Sequence, residues 1–319
     1  MPAAKPALDF FPAGLHVQQN VPLSQYTRFG IGGPAAVFVE TSHQSEFCDA
    51  LRAAQQSGMN WMVIGQGSNL IVADAGFDGV VLRYTASGIR ACEGGLCIEA
   101  GAVLQDVVDQ SIARGFAGLH TMTGIPGWVG AAIYGNAGAY GHSIHEFVHA
   151  VRFTTGVSVR EFNNGECGFA YRESVFKKHK DWILLSAELR LPQSEAVELR
   201  RKADEIRAIR DAKYPPSMRC AGSIFKNLIL TELPQAVRDT VPRGLVKEGK
   251  LPAAWILEQV GAKGMRRGDI QVAAYHANLI YNDGAGTAAD LRAVIDDLKS
   301  RVEARFGFSL EEEVQYAGF

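Results

Sequence analysis

Residues 124–141 read Gly124-Ile125-Pro126-Gly127-Trp128-Val129-Gly130-Ala131-Ala132-Ile133-Tyr134-Gly135-Asn136-Ala137-Gly138-Ala139-Tyr140-Gly141. Small residues fill most of this stretch, and glycine at such density increases the entropy lost on ordering. Close approach of bare backbone to a flat, charged ligand offsets that loss; a buried glycine-rich crossover is the plain alternative. A second segment, Gly65-Gln66-Gly67-Ser68-Asn69, follows a short apolar strand at 61–64. Its GxG raises the dinucleotide fingerprint, but the third glycine is missing. Leu70-Ile71-Val72 also continues as a strand where that fingerprint needs a helix. Backbone N–H groups around glycine can form an anion nest without a helix dipole, and Ser68 and Asn69 add side-chain donors. Taken alone, the segment is better explained by a tight turn between strands. Two such segments in one chain favour a large, extended ligand.

Outward from these segments the chain divides by texture. Before residue 85, a helix is expected over 44–57 (Phe47, Ala50, Leu51, Ala54), followed by the strand at 61–64. The cluster Gly30-Ile31-Gly32-Gly33-Pro34 precedes them, giving a small α/β unit with glycine turns at its strand ends. From Ile89 a second, α+β unit is expected, with strands at 96–100, 148–153, 157–162 and 182–191. Its helix over 104–114 is marked by Val107, Val108 and Ile112. A charged helix over 195–213 stops at Pro215-Pro216. The remainder reads as a smaller α/β domain: an apolar run at 255–260, a strand at 278–281, and an amphipathic helix over 288–306 between Thr287 and Gly307.

Composition narrows the class. The 319 residues are 47% hydrophobic and 21% charged, which suits a globular protein of two or three domains. A net charge of -2 offers no basic excess to neutralise a nucleic-acid backbone, so nucleic acid is not an expected partner. Residues 1–15 do not read as a signal peptide, and no run approaches the ~18 apolar residues of a membrane helix. Cys48, Cys92, Cys97, Cys167 and Cys220 are odd in number and scattered, without a CxxC pair. A cytoplasmic enzyme with reduced thiols is the expectation.

Several polar groups are candidates for chemistry. Arg172, in Tyr171-Arg172-Glu173-Ser174, can clamp a carboxylate through a bidentate contact, although a surface salt bridge is the commoner fate of an arginine. Ser223 lies between Gly222 and the apolar pair Ile224-Phe225; most such serines only satisfy a turn. No His–Asp partner stands at an obvious spacing, so no hydrolase triad is argued. Glu313 is expected to begin a strand on which Glu311 and Glu313 share one face and Glu312 takes the other. His142, His145 and His149 have metal-like spacing, but no cysteine or carboxylate pattern completes them, and no metal is expected.

Together these stretches resemble the UDP-N-acetylenolpyruvoylglucosamine reductase family of bacterial peptidoglycan precursor synthesis. The matching segments run in the family's order over nearly the whole chain. They are 26–34 (YTRFGIGGP), 65–69, 124–141, 171–174, the RxxKxP of Arg210 to Pro215, 222–227 (GSIFKN), His276-Ala277-Asn278 and 310–314 (LEEEV). Each alone is weak, and the shared order is strong. The chain is similar to the branches without an inserted tyrosine loop, there being no room for one between Leu191 and Lys213. The long connection 227–254, ending Lys250-Leu251-Pro252-Ala253-Ala254-Trp255, instead resembles the loop-containing branch. Trp128 and Ala131 stand where the family more often has serine and glycine.

The resemblance implies an α+β, FAD-binding fold of the vanillyl-alcohol-oxidase type. Its first FAD subdomain would span 1–85, its second 86–207 with 308–319, and a small α/β substrate domain 208–307. FAD would be bound and NADPH would be the hydride donor. Residue by residue, Ser223 resembles the general acid, and Arg172 and Glu313 the pair that polarises the enolpyruvyl carboxylate. Arg210 would contact the FAD pyrophosphate. Gly65, Gln66, Gly67, Ser68, Asn69, Gly124, Ile125, Pro126, Gly130, Ala131, Asn136, Gly138 and Ala139 would line the cofactor. Tyr171, Lys213, Asn227 and His276 would contact the UDP-sugar. No protein partner is implied. An oxidase of the same fold, or a flavin or nucleotide-sugar binding module without catalysis, are the competing readings.

Overall fold

The computed structural model describes residues 10–319, so part of the reading of the N-terminal leader and of the first subdomain lies outside the described residues. Contacts divide the chain into two compact units. The first comprises residues 10–21, 35–66 and 77–212, and the second 22–34, 67–76 and 213–319.

The first unit holds two sheets on one apolar core. One is ordered Val17–Pro22, Pro34–Thr41, Phe77–Tyr84, Asn60–Val63, with Phe77–Tyr84 parallel to both strands beside it. Val80, Val81 and Leu82 in that inner strand are fully buried, and such a continuous apolar run is what a parallel strand covered on both faces requires. The sequence reading passed over this strand because its apolar run does not alternate. Helix Gln44–Gln56 buries Phe47, Ala50, Leu51 and Ala54 at helical spacing. The second sheet is antiparallel, ordered Val159–Asn163, Val148–Thr154, Ile183–Arg190, Gly95–Glu99, Ile89–Cys92. Helix Leu104–Ala113 also packs its apolar stripe into this unit's core.

The second unit is built on an antiparallel sheet ordered Arg219–Ser223, Leu279–Asn282, Ile270–Val272, Arg266–Arg267. Helix Ala288–Phe306 buries Leu291, Val294, Ile295, Leu298 and Val302 in its core. Thr287 caps it by accepting the Asp290 N–H, and Gly307 ends it in the left-handed conformation. The Asp74 carboxylate accepts from the Ala288 and Ala289 N–H groups (2.8 and 2.9 Å), placing a negative charge at the positive end of the helix dipole. The apolar run at 255–260 lies in a helix, Ala253–Gln259. Connection 227–254 opens and closes as a short antiparallel pair, Leu228–Ile229 with Lys250–Leu251.

Several segments fall elsewhere than the expected domain limits: 22–34, 67–76 and 308–319 group with the second unit, and 208–212 with the first. Residues 308–319 join the second unit, because the Glu313 N–H donates to Ile224 O (2.7 Å) and the Lys226 N–H to Glu311 O (2.9 Å). Gln315–Ala317 then pairs in parallel with Leu70–Val72, which carries 67–76 into the same unit. The strand expected from Glu313 therefore begins at Gln315.

Candidate active site

In the first unit, the 124–141 segment is not uniformly irregular. Val129–Tyr134 forms a short helix on the core, and Gly138–Ala139 pairs with His142–Ser143 in a hairpin. Within the segment the Gly124 N–H donates to Gln105 Oε1 (2.8 Å), the Ile125 N–H to Met122 O (3.1 Å) and the Gly130 N–H to Ala100 O (2.8 Å). Those three amides serve the fold and are not available to a ligand. Pro126 and Ala131 are exposed. The Arg210 side chain lies along Gly124, where an added Cβ would sit 3.2 Å from its Cδ and Nε. Gly65 would bring a Cβ no closer than 3.5 Å to the Trp128 ring and 3.8 Å to Ala131 Cβ. The fold itself thus does not demand glycine at 65. Arg83 donates to Gly65 O (3.2 Å) and stacks its guanidinium over Trp128 (4.7 Å), tying that turn to the large residue that departs from the family pattern.

Arg172 sits on a turn whose ends exchange hydrogen bonds, Ala170 N–H with Glu173 O and the reverse (both 3.1 Å). Its φ is +58°, a left-handed conformation that a non-glycine residue keeps only when its surroundings hold it there. Those surroundings are specific. Asn136, 3% exposed, donates to Ala170 O (2.8 Å), and Ser174 Oγ donates to Tyr134 O (2.7 Å). Lys177 Nζ donates to Arg172 O (2.9 Å) and pairs with Glu173 (2.8 Å). Arg172 itself donates to Gly138 O (3.1 Å), with its guanidinium 5.3 Å from the Tyr171 ring centroid. Asn136, expected on the cofactor, has its side-chain amide engaged by Ala170 and by the His145 backbone (3.3 Å). The three histidines point to different partners: His142 to Glu146 (2.8 Å), His145 to Asn136 (3.2 Å) and His149 toward Glu188 (4.0 Å).

In the second unit, Gly67 has φ +65°, and a Cβ there would meet Tyr26 O at 1.8 Å, so at this position glycine is dictated by the fold. Ser68 and Asn69 are half-buried, and Gln66 beside them is exposed. Asn69 Nδ2 donates to Glu313 O (2.9 Å). Ser223 ends its strand just past a register shift after Cys220, where Gly222 takes φ +77°. Such a bulge re-aims the side chain that follows it. Because Glu313 N–H bonds to Ile224 O, the backbone of Glu313 runs beside the residue that follows Ser223. Asn278, 2% exposed, locks this strand by accepting from Phe225 N (2.9 Å) and donating to Phe225 O (2.8 Å).

Around Ser223 the second unit also gathers Lys213, Tyr214 and His276. Tyr214 Oη is 3.2 Å from Ser223 Oγ, Lys213 Nζ lies 4.9 Å from the Tyr214 ring centroid, and the His276 ring is 6.4 Å from that ring. Burial, then the Lys213 charge, lowers the His276 pKa to about 4, so its ring is neutral near pH 7. Its Nδ1 is buried without a hydrogen-bond partner. Asn227 Oδ1 accepts the Ala253 N–H (3.3 Å) at the start of helix Ala253–Gln259. Tyr214, Asn278 and Asn136's anchoring role escaped the sequence reading, although all three lie inside segments it singled out. Spacing marks a segment; only the fold shows which atoms in it meet.

A family of FAD binding domains matches residues 35–158. The site geometry suits that group: a turn at Gly65 that the fold itself does not require to be glycine, and an arginine laid along Gly124. The chain therefore has the FAD-binding fold of the vanillyl-alcohol-oxidase type and is an FAD-dependent oxidoreductase. The C-terminal domain family of UDP-N-acetylenolpyruvoylglucosamine reductase matches residues 214–317. A UDP-N-acetylenolpyruvoylglucosamine reductase of Solibacter usitatus is 59% identical over 304 residues, 95% of this chain and 97% of that protein. One of Carboxydothermus hydrogenoformans is 34% identical over 305 residues, 95% of this chain and 94% of that protein. The crystal structure of the reductase from Thermus caldophilus superposes with a TM-score of 0.75 at 28% identity, over 95% of this chain and 100% of that one. The chain belongs to the UDP-N-acetylenolpyruvoylglucosamine reductase family.

Proposed function

We propose that this chain reduces the enolpyruvyl ether of UDP-N-acetylglucosamine to UDP-N-acetylmuramate in the cytoplasm, with NADPH as hydride source. FAD, when bound, would supply the hydride-carrying chemistry that links NADPH to the enolpyruvyl substrate. The turn at Gly65, Gln66, Gly67, Ser68 and Asn69 and the surface of Gly124, Ile125, Pro126, Gly130, Ala131, Gly138 and Ala139 would hold it, with Arg210 at its pyrophosphate. Arg172 and Glu313 polarise the substrate carboxylate, beside which negative charge builds, and a pre-set guanidinium is suited to that charge. Ser223 delivers the proton to the adjacent carbon. Tyr171, Lys213, Asn227 and neutral His276 bind the UDP-sugar.

The observation that supports this reading is the 2.7 Å bond from Glu313 N–H to Ile224 O, which brings the backbone of Glu313 beside the residue that follows Ser223. Anaerobic mixing of the purified holoprotein tests it. NADPH should bleach the flavin absorbance and the enolpyruvyl substrate should restore it. In Ser223→Ala, bleaching should persist and restoration should fail. Loss of both steps together would argue against Ser223 as proton donor. A protein that stays colourless on reconstitution with FAD would sink the whole reading. Rapid restoration by dioxygen and none by the substrate would favour the oxidase.

A further inference from the structure

Ser223 is asked to be an acid although a serine hydroxyl holds its proton tightly, and the structure places a second hydroxyl against it. We propose that Tyr214 is the positioning residue of Ser223: its phenol donates to Ser223 Oγ, turns the serine's own hydrogen toward the substrate, and stabilises the charge left on Oγ as that proton departs. This rests on the reading of Ser223 as proton donor.

The chain builds the contact from its sequence. Helix Ala196–Lys213 ends before Tyr214-Pro215-Pro216, and a residue preceding proline is held in extended conformation. The Met218 N–H then bonds to Pro215 O (2.8 Å), and the turn so made leads into strand Arg219–Ser223. Tyr214 and Ser223 are thereby returned to each other, Oη to Oγ, at 3.2 Å. Both are half-buried, so their hydrogen bond is shielded from bulk water without being sealed off.

Chemistry fixes the direction of the bond. A hydroxyl has one hydrogen and two lone pairs. If Ser223 directs its hydrogen at the substrate carbon, it has only lone pairs to offer Tyr214, and the phenol must donate. When the serine O–H bond breaks and the new C–H bond forms, negative charge collects on Oγ. A donor already in place favours that charged form. Lys213, with Nζ 4.9 Å from the Tyr214 ring centroid, puts a positive charge over the ring, which favours donation by the phenol. Solvent returns the serine's proton after product leaves.

The test uses the FAD-loaded enzyme with Tyr214→Phe, Ser223→Ala and the double variant. Tyr214→Phe retains the ring, so its thermal midpoint should match the parent. Bleaching by NADPH should be unchanged. The rate of reoxidation by the enolpyruvyl substrate should fall about tenfold, the scale of one hydrogen bond to a group that becomes charged. Its solvent deuterium isotope effect should rise, and in the Ser223→Ala background the phenylalanine should have no further effect. An impaired Ser223→Ala beside an unaltered Tyr214→Phe overturns this proposal alone. So does a Tyr214→Phe effect of equal size in both backgrounds, which would mean that the tyrosine acts elsewhere. An unimpaired Ser223→Ala overturns the assignment of Ser223, and this proposal with it.

Discussion

The turn that carries Arg172 and the strand end that carries Ser223 are held in opposite ways. Around Arg172, the buried amide of Asn136, the Ser174 hydroxyl and the Lys177 ammonium hold a backbone that would otherwise leave its left-handed conformation. Around Ser223, ordinary strand pairing, a bulge at Gly222 and the lock of Asn278 on Phe225 set the backbone, while the side chain meets Tyr214. The contrast fits the proposed tasks. A group that stabilises charge works best when it need not reorganise as the charge appears. A proton donor needs a defined hydrogen, and one neighbouring hydroxyl supplies that.

The largest effect should come from Arg172→Ala. Removing one pre-set charge stabiliser costs about 10²–10³ in the chemical step. Reoxidation by substrate should slow by that order while bleaching by NADPH is spared. Equal loss in both steps would mean that the turn matters for flavin rather than for the carboxylate. Asn278→Ala comes next. It leaves the Phe225 N–H and C=O buried without their partner, at roughly 1–3 kcal/mol for each group. Denaturant unfolding should show a lower midpoint for the second unit, and an unchanged midpoint would remove Asn278 from the account of Ser223. Asn136→Ala should cost less in stability, about 1–2 kcal/mol, because of the two backbone groups that lose their partner, Ala170 O and the His145 N–H, the second is held only by a 3.3 Å bond at a half-buried residue. Its signature should be catalytic: slower substrate reoxidation approaching that of the Arg172 variant. If stability falls and reoxidation does not, the left-handed turn holds without its amide.

Much of the architecture was legible because it depends on pattern. Helix Ala288–Phe306 with Thr287 and Gly307 at its ends, and strand Val148–Thr154, come directly from apolar spacing and cap chemistry. Strand Phe77–Tyr84 was not, since burial on both faces erases the alternation that marks a strand. Residues 308–319 were assigned to the wrong neighbour, because a strand's partner is set by hydrogen bonds such as Glu313 to Ile224 that leave no local trace. The site shows the same division. Gly65 and Gly67 look alike in sequence, yet a Cβ at one would meet its neighbours at ordinary contact distance while at the other it would meet Tyr26 O at 1.8 Å. Residue type indicated that Arg172 and Ser223 could do chemistry; the strain on one and the phenol beside the other are properties of the folded chain.

The smallest effect should be a pH dependence on the Ser223 side. His276 has its pKa lowered from 6.5 to about 4 by burial and by Lys213. A histidine that binds protons less readily when folded contributes stability fully above its unfolded pKa. That contribution is lost as pH falls from about 6.5 toward 4, where the unfolded chain takes up the proton first. With the partial exposure of the ring discounted, about 1–2 kcal/mol is at stake. Unfolding midpoints measured between pH 7.5 and 4.5 should therefore fall less steeply in His276→Gln than in the parent. The difference should be confined to the second unit, followed by a probe such as Trp255 fluorescence. Parallel pH profiles for the two proteins would show that the ring is solvated in the folded state. The neutral imidazole would then be lost to the Ser223 region as a fixed partner for the UDP-sugar.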